Sequence, residues 1–341
     1  MAERLSTVLQ ALNEAMHEAM ARDDRVLFLG EDILDPYGGA FKVAKGLSTR
    51  FPDRVLTTPI SEAAITGIAA GLALRGMRPV VEIMFGDFLS LAFDQLLNHA
   101  CKYRWMYNSQ VRVPMVVRTP MGGRRGYGPT HSQCTEKHFV GMPGLRVVAP
   151  NSLCDPKRLL LRAILSDDEP TLFVEHKLLY LSPLKQADGL PHLEFTHSNP
   201  SLLYPSVCVR IAGVPRVDVT IATYGYMADL ALDAVWRLAM EQEIFAEVIV
   251  PTCISPLDAK PILTSFLRTG RLLTVEEGTI SLGWGSEVLS LVAEGTQKGG
   301  RFIASRLGAW NVPVPSSRPL ENAMLPSVQD IFDSTIQLAA K

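Results

Sequence analysis

Between residues 59 and 131 the chain carries three side chains able to do chemistry together: Glu62, Phe88 and His131. Glu62 follows Pro59-Ile60-Ser61, where a helix start is read, with Ser61 at the capping position. A carboxylate in a first helical turn is by default only a partner of the helix dipole, worth about 0.3–1 kcal/mol. Phe88 closes Phe85-Gly86-Asp87-Phe88 and offers an aromatic face. His131 brings an imidazole, a side chain able to donate or accept a proton. It follows Gly122-Gly123-Arg124-Arg125-Gly126-Tyr127-Gly128, whose glycines let backbone approach a ligand closely. That loop by itself reads equally well as a flexible surface loop. His17, His99 and His192 read as structural or solvated. A carboxylate, an aromatic and an imidazole at the ends of successive strands is a layout that suits an active site.

The elements that must position them follow from hydrophobic periodicity. Leu5, Val8, Leu9, Leu12 and Met16 recur at helical spacing. Short apolar strands are read at residues 26–29, 55–57, 79–84, 113–119, 145–149 and 171–175. Helices are read at 63–74, 88–103 and 156–165. Residues 181–205 hold Pro183, Pro191, Pro200 and Pro205 and few periodic apolar positions, which reads as a linker. A second alternating set follows, with strands at 217–223, 246–250, 272–275 and 302–304 and helices at 228–240, 257–266, 287–293 and 328–338. Strands alternating with helices predict an α/β fold with parallel sheets. The division is a domain over residues 1–181, a linker over 182–205 and a second domain over 206–341.

Composition excludes several classes. The chain has 341 residues, 47% of them apolar, so it can bury a large core. A formal net charge of -2 without basic clustering gives no footprint for nucleic acid. No apolar run is long enough for a membrane span. The first residues lack an apolar signal core, so a cytoplasmic location is expected. Five cysteines, none in a CxxC pair, read as reduced thiols. Gly283-Trp284-Gly285 lacks the third glycine of a dinucleotide loop, since Val288 stands in its place, and no P-loop motif is present. Gly67 and Gly71 read as a close contact of one helix with a neighbour.

The motifs taken together resemble one family. Thr58-Pro59-Ile60-Ser61-Glu62-Ala63-Ala64, Phe85-x-Asp87-Phe88, Ala92-Phe93-Asp94-Gln95, Lys102-Tyr103-Arg104 and His131-Ser132-Gln133 are similar to the beta subunit of thiamine-diphosphate-dependent 2-oxo acid dehydrogenases. So are Ser255-Pro256-Leu257-Asp258, Glu276-Glu277-Gly278 and Leu320-Glu321 in the second half. The resemblance implies a transketolase-like pyrimidine-binding domain followed by a transketolase C-terminal-like domain. It implies that Glu62 hydrogen-bonds the aminopyrimidine of thiamine diphosphate, that Phe88 packs on that ring with Ile60 beside it, and that His131 faces substrate and lipoyl group. It also implies a potassium site at Met115, Ala163, Ser166 and Asp168.

The Gly-Asp-Gly and downstream Asn with which this family holds diphosphate through magnesium are absent. An alpha subunit is therefore expected to supply them, in a heterotetramer with an active site at the interface and a lipoyl acyltransferase as a further partner. Tyr107-Asn108-Ser109-Gln110, Val250-Pro251-Thr252-Cys253 and the segment after Tyr180 depart from the family pattern. They bear on the substrate and leave the cofactor residues intact. Three functions stay open on sequence alone: oxidative decarboxylation with acyl transfer to lipoyl, an acyloin-forming or acetoin-cleaving relative, and a non-catalytic partner.

Overall fold

A helix, Val8–Arg22, opens the computed structural model, which describes residues 6–185, 190–199, 201–296 and 302–341. Thr7 and Gln10 close a capping box at its start. Its buried stripe, including Leu12, Met16 and Met20, lies against the helix Pro156–Leu165.

Thirteen strands lie among the described residues. The first six are β1 (Val26–Gly30), β2 (Val55–Thr57), β3 (Arg78–Glu82), β4 (Val116–Met121), β5 (Arg146–Val148) and β6 (Thr171–His176). The others are β7 (Leu193–His197), β8 (Val207–Ile211), β9 (Val219–Thr223), β10 (Ala246–Val250), β11 (Cys253–Ser255), β12 (Arg271–Thr279) and β13 (Ile303–Ala309). They form a seven-stranded sheet of order β11-β5-β6-β4-β3-β1-β2 and a six-stranded sheet of order β13-β12-β9-β10-β8-β7. Strands β1 to β6 pair parallel throughout. Most are apolar on both sides, as strands covered by helices on both faces must be. In the second sheet β9, β10, β12 and β13 pair parallel while β8 runs antiparallel to β10, so the two expected α/β units are present, the second with a mixed sheet.

Three local differences have physical causes. Residues 193–197, inside the proline-bearing stretch expected as a linker, form β7 and pair antiparallel with β8. Leu193 and Phe195 face inward there, a period-two pattern that the surrounding prolines obscure. Strand β11 leaves the second half of the chain and pairs antiparallel with β5 of the first sheet, Cys253 opposite Val148. The helix expected over 88–103 is three pieces: a 3-10 run Gly86–Ala92, a π-helical turn Gln95–Ala100 and an α-helix Cys101–Met106. The tight first piece turns Phe85 and Phe88 toward one neighbour, the imidazole of His131. Among the described residues no helix is long and apolar enough to cross a membrane.

Candidate active site

Because β2, β1, β3, β4 and β6 are adjacent or nearly so and run parallel, their C-terminal ends open on one edge of the first sheet. In open α/β sheets ligands bind outside such carboxyl ends. Glu62 comes after β2, Glu31 after β1, Phe85 and Phe88 after β3, the glycine loop and His131 after β4, and Lys177 after β6.

Glu62 opens the helix Glu62–Leu74. Its side chain is only 5% exposed, yet no hydrogen bond or ion pair holds its carboxylate among the described residues. Ser61 stands at the N-cap but makes no side-chain capping bond, contrary to expectation. Glu31 lies beside this position. Burial, then the Glu62 charge, pushes its carboxyl above the ordinary range, against a hydrogen bond from the Ser61 N–H. One Glu31 oxygen, Oε1, is buried without a partner. A buried carboxyl oxygen without a partner, as Glu31 Oε1 is, is costly unless a donor arrives.

His131 is half-buried between two rings. Its imidazole lies edge-on to Phe85 at 4.8 Å and to Phe88 at 5.3 Å between centroids. Thr130 Oγ1 is 3.0 Å from His131 Nδ1, which leaves Nε2 open. The structure thus brings Phe88 and His131 together. Ile60 is 83% exposed.

The loop that carries His131 is held from the other half of the chain. The Gly123 N–H donates to Glu277 Oε1 at 2.7 Å and the Arg124 guanidinium to Glu277 Oε2 at 3.1 Å. The Arg124 N–H donates to Glu321 Oε1 at 2.7 Å and the Gly126 N–H to Glu321 Oε2 at 3.0 Å. His176 Nε2 is 3.0 Å from Glu277 Oε1, and its ring stacks on Tyr226. Burial alone would raise the Glu277 carboxyl; His176, Arg124 and the Gly123 N–H reverse this and hold it well below the ordinary range. Behind the site Arg118 is fully buried between Glu82 and Glu175, whose Oε2 also accepts from Tyr180 at 2.6 Å.

Sequence reasoning assigned no role to Glu31, Lys177, Glu277 or Glu321. Glu31 carries a readable signal, an acid directly after a parallel strand. For Glu277 and Glu321 the signal exists only once the two halves are joined.

Two of the four residues expected to hold potassium carry other bonds. The Asp168 carboxylate is bonded by Arg78 Nη2 at 2.8 Å and by Arg112. Arg78 Nη1 donates to the carbonyls of Ile164 at 2.9 Å and Asp167 at 3.0 Å. The Met115 carbonyl accepts the Thr171 N–H at 2.9 Å. The Arg78 guanidinium thus occupies the space between the Ile164 and Asp167 carbonyls and the Asp168 carboxylate. No group of three or more His, Cys, Asp or Glu side chains among the described residues could hold a metal ion.

The chain matches the family described as transketolase, pyrimidine binding domain, over residues 6–182, and transketolase, C-terminal domain, over residues 212–331. It is 39% identical over 330 residues to pyruvate dehydrogenase E1 component subunit beta-1, mitochondrial, of Arabidopsis thaliana, covering 95% of this chain and 87% of that one. It is 38% identical over 345 residues to acetoin:2,6-dichlorophenolindophenol oxidoreductase subunit beta of Cupriavidus necator, covering 97% and 96%. A pyruvate dehydrogenase E1 component subunit beta of Rickettsia felis is 36% identical over 96% of both chains. Among solved structures, a split gene transketolase described as an inactive beta4 tetramer superposes with a TM-score of 0.75 at 20% identity, over 97% of each chain. That likeness bears on the fold alone.

Proposed function

The chain belongs to the transketolase-like family of beta subunits of 2-oxo acid dehydrogenases, and from this premise we propose that it serves the oxidative decarboxylation of a 2-oxo acid with acyl transfer to a lipoyl group. The observation that carries the reading is the pair of neighbouring carboxyl groups: Glu62, largely buried with no hydrogen bond or ion pair on its carboxylate among the described residues, and Glu31, whose Oε1 is buried without a partner.

These residues fit thiamine diphosphate. That cofactor, when bound, supplies the electron sink for decarboxylation, and the protein supplies orientation and electrostatics. Glu62 accepts a hydrogen bond from a protonated ring nitrogen and stabilises its charge. The Glu31 carboxyl, raised by burial and then by the Glu62 charge, stands beside it. Phe88 and Phe85 offer apolar ring surface next to the reacting position. His131, with Nε2 open, donates a proton to an oxyanion or to a leaving thiolate. The diphosphate and its magnesium fall to an alpha subunit, because this chain has no Gly-Asp-Gly motif with a downstream Asn. The proposal therefore includes a heterotetramer, a lipoyl acyltransferase that receives the product, and cytoplasmic residence.

The test is Glu62→Gln in the enzyme co-expressed with its alpha subunit. It keeps shape and removes charge, so turnover should fall by about 10²–10⁴, the usual size of a general acid–base contribution. Near-normal turnover would reduce Glu62 to a partner of the helix dipole. A second reading, acetoin cleavage, is favoured by the Cupriavidus necator relative. Wild-type activity on acetoin with a dye acceptor, and none with a lipoyl acceptor, would select it.

A further inference from the structure

Lys177 is the group at this edge whose charge has no assigned use. It directly follows β6, and its side chain is fully buried, at 0% exposure. The Lys177 N–H donates to the Met121 carbonyl at 3.0 Å, and the Lys177 carbonyl accepts from Arg125 Nη2 at 3.3 Å, so its backbone is fixed to β4 and to the glycine loop. Its ammonium donates to the backbone carbonyl of His131. It also stands 5.3 Å from the ring centroids of Phe85 and Tyr127. No carboxylate pairs with it at ion-pair distance among the described residues. Asp87, Cys134 and Glu277 act from further away on its favour, and Arg125 opposes it. Burying an ammonium with so few partners is expensive, so the bonds it does make are the ones it can enforce.

His131 needs such a bond. Its own N–H reaches only the Gly128 carbonyl, at 3.4 Å, and Gly122, Gly126 and Gly128 all have positive φ. A loop of that kind has many alternative paths. The Lys177 contact is the one polar tie to the His131 carbonyl from outside the loop among the described residues.

The geometry points to Lys177 as the positioning residue of His131: its ammonium clamps the His131 carbonyl, so that the imidazole stands edge-on to Phe85 and Phe88 with Nε2 directed outward. This rests on His131 acting as the proton donor of the proposed reaction. The clamp is a charged donor, and it weakens when the amine loses its proton. Burial pushes that amine down to about 8.

The test uses the complete enzyme with its alpha subunit and the variants Lys177→Met and Lys177→Arg. Displacing a reacting group by about 1 Å costs about 10²-fold, so Lys177→Met should lower kcat by about tenfold to a hundredfold, with KM for the 2-oxo acid little changed. In wild type the rate should fall on the alkaline side near pH 8. Lys177→Met should lack that limb, and Lys177→Arg should restore most of the rate and keep it at high pH, since arginine stays charged. Wild-type kcat in Lys177→Met, or the same alkaline limb in all three proteins, overturns the clamp. If His131→Ala is fully active, the reading of His131 fails instead. The His131 Cε1–H resonance of the chain then decides on Lys177 alone. It should shift near pH 8 in wild type and not in Lys177→Met, and a shift kept in the variant overturns the clamp.

Discussion

Glu277 is the residue on which the two halves of the site meet. One of its oxygens takes the Gly123 N–H and His176, the other Arg124. Removing one partner of a buried, hydrogen-bonded charge pair costs about 3–5 kcal/mol. Glu277→Gln should therefore lower the melting temperature at pH 7, although it fills the same volume. The pH dependence follows from the direction of the shift. The folded-state carboxyl lies below its unfolded value, so the stability it contributes is present above the unfolded pKa of about 4.3 and is lost as pH falls toward the folded one. Wild type should lose melting temperature as pH drops below about 5, and Glu277→Gln should show a shallower acid slope. Parallel acid slopes in the two proteins would mean that Glu277 is not the linked group. The sequence quotes this residue within Glu276-Glu277-Gly278, but no spacing rule connects it to Gly123, 154 positions away. Glu62, in contrast, stands out through its local string, Thr58 to Ala64, which carries the family resemblance; the helix start alone would leave it a partner of the dipole.

At the scale of elements, the strand ends were legible and the loop between β4 and its next neighbour was not. Strands β1 to β6 show as apolar runs alternating with helices, which predicts a parallel sheet; the order in which they lie is seen only in the structure. The glycine loop has no periodicity to read. Its path is set by what crowds it. Gly122 has φ +93°, and a Cβ there would run into the His176 imidazole. At Gly128, with φ +78°, a Cβ would lie 2.5 Å from Ser316 Oγ. A methyl group at Gly122 must displace His176 from Glu277 or move the loop. Gly122→Ala should cost about 1–3 kcal/mol, as overpacking usually does, and lower turnover with it, because the same loop carries His131. A thermal melt and an activity assay of the same preparation check this. Full activity with an unchanged melt would mean that the loop path is set elsewhere. The 3-10 run Gly86–Ala92 was missed for a different reason. Leu89, Leu91 and Ala92 continue the apolar pattern of the helix that follows, while Gly86, Asp87 and Ser90 are weak helix formers, and the run closes as the tighter turn.

For the whole molecule, the surface of the single chain is unfinished. Ile60, at 83% exposed, and Trp105, at 88%, lie in the first half, with Ile68, Leu91 and Met106 also exposed. In the second half Leu282, Trp310 and Leu320 are exposed. Scattered apolar residues need no explanation, but large ones beside an incomplete site mark surfaces that other chains cover. Ile60 lies two positions before Glu62, so a chain that covers it would also border the proposed site. A second copy of this chain is expected to cover the apolar positions of the second half, since symmetric contacts are the commonest in oligomers. The isolated chain should therefore self-associate at micromolar concentration and bind thiamine diphosphate poorly. Co-expression with a chain that carries the diphosphate motif should give a particle of two plus two subunits and restore tight cofactor binding. Light scattering and calorimetry on both preparations separate the outcomes. A strict monomer that binds the cofactor tightly would show that this chain completes its own site, and would remove the reason for an alpha subunit.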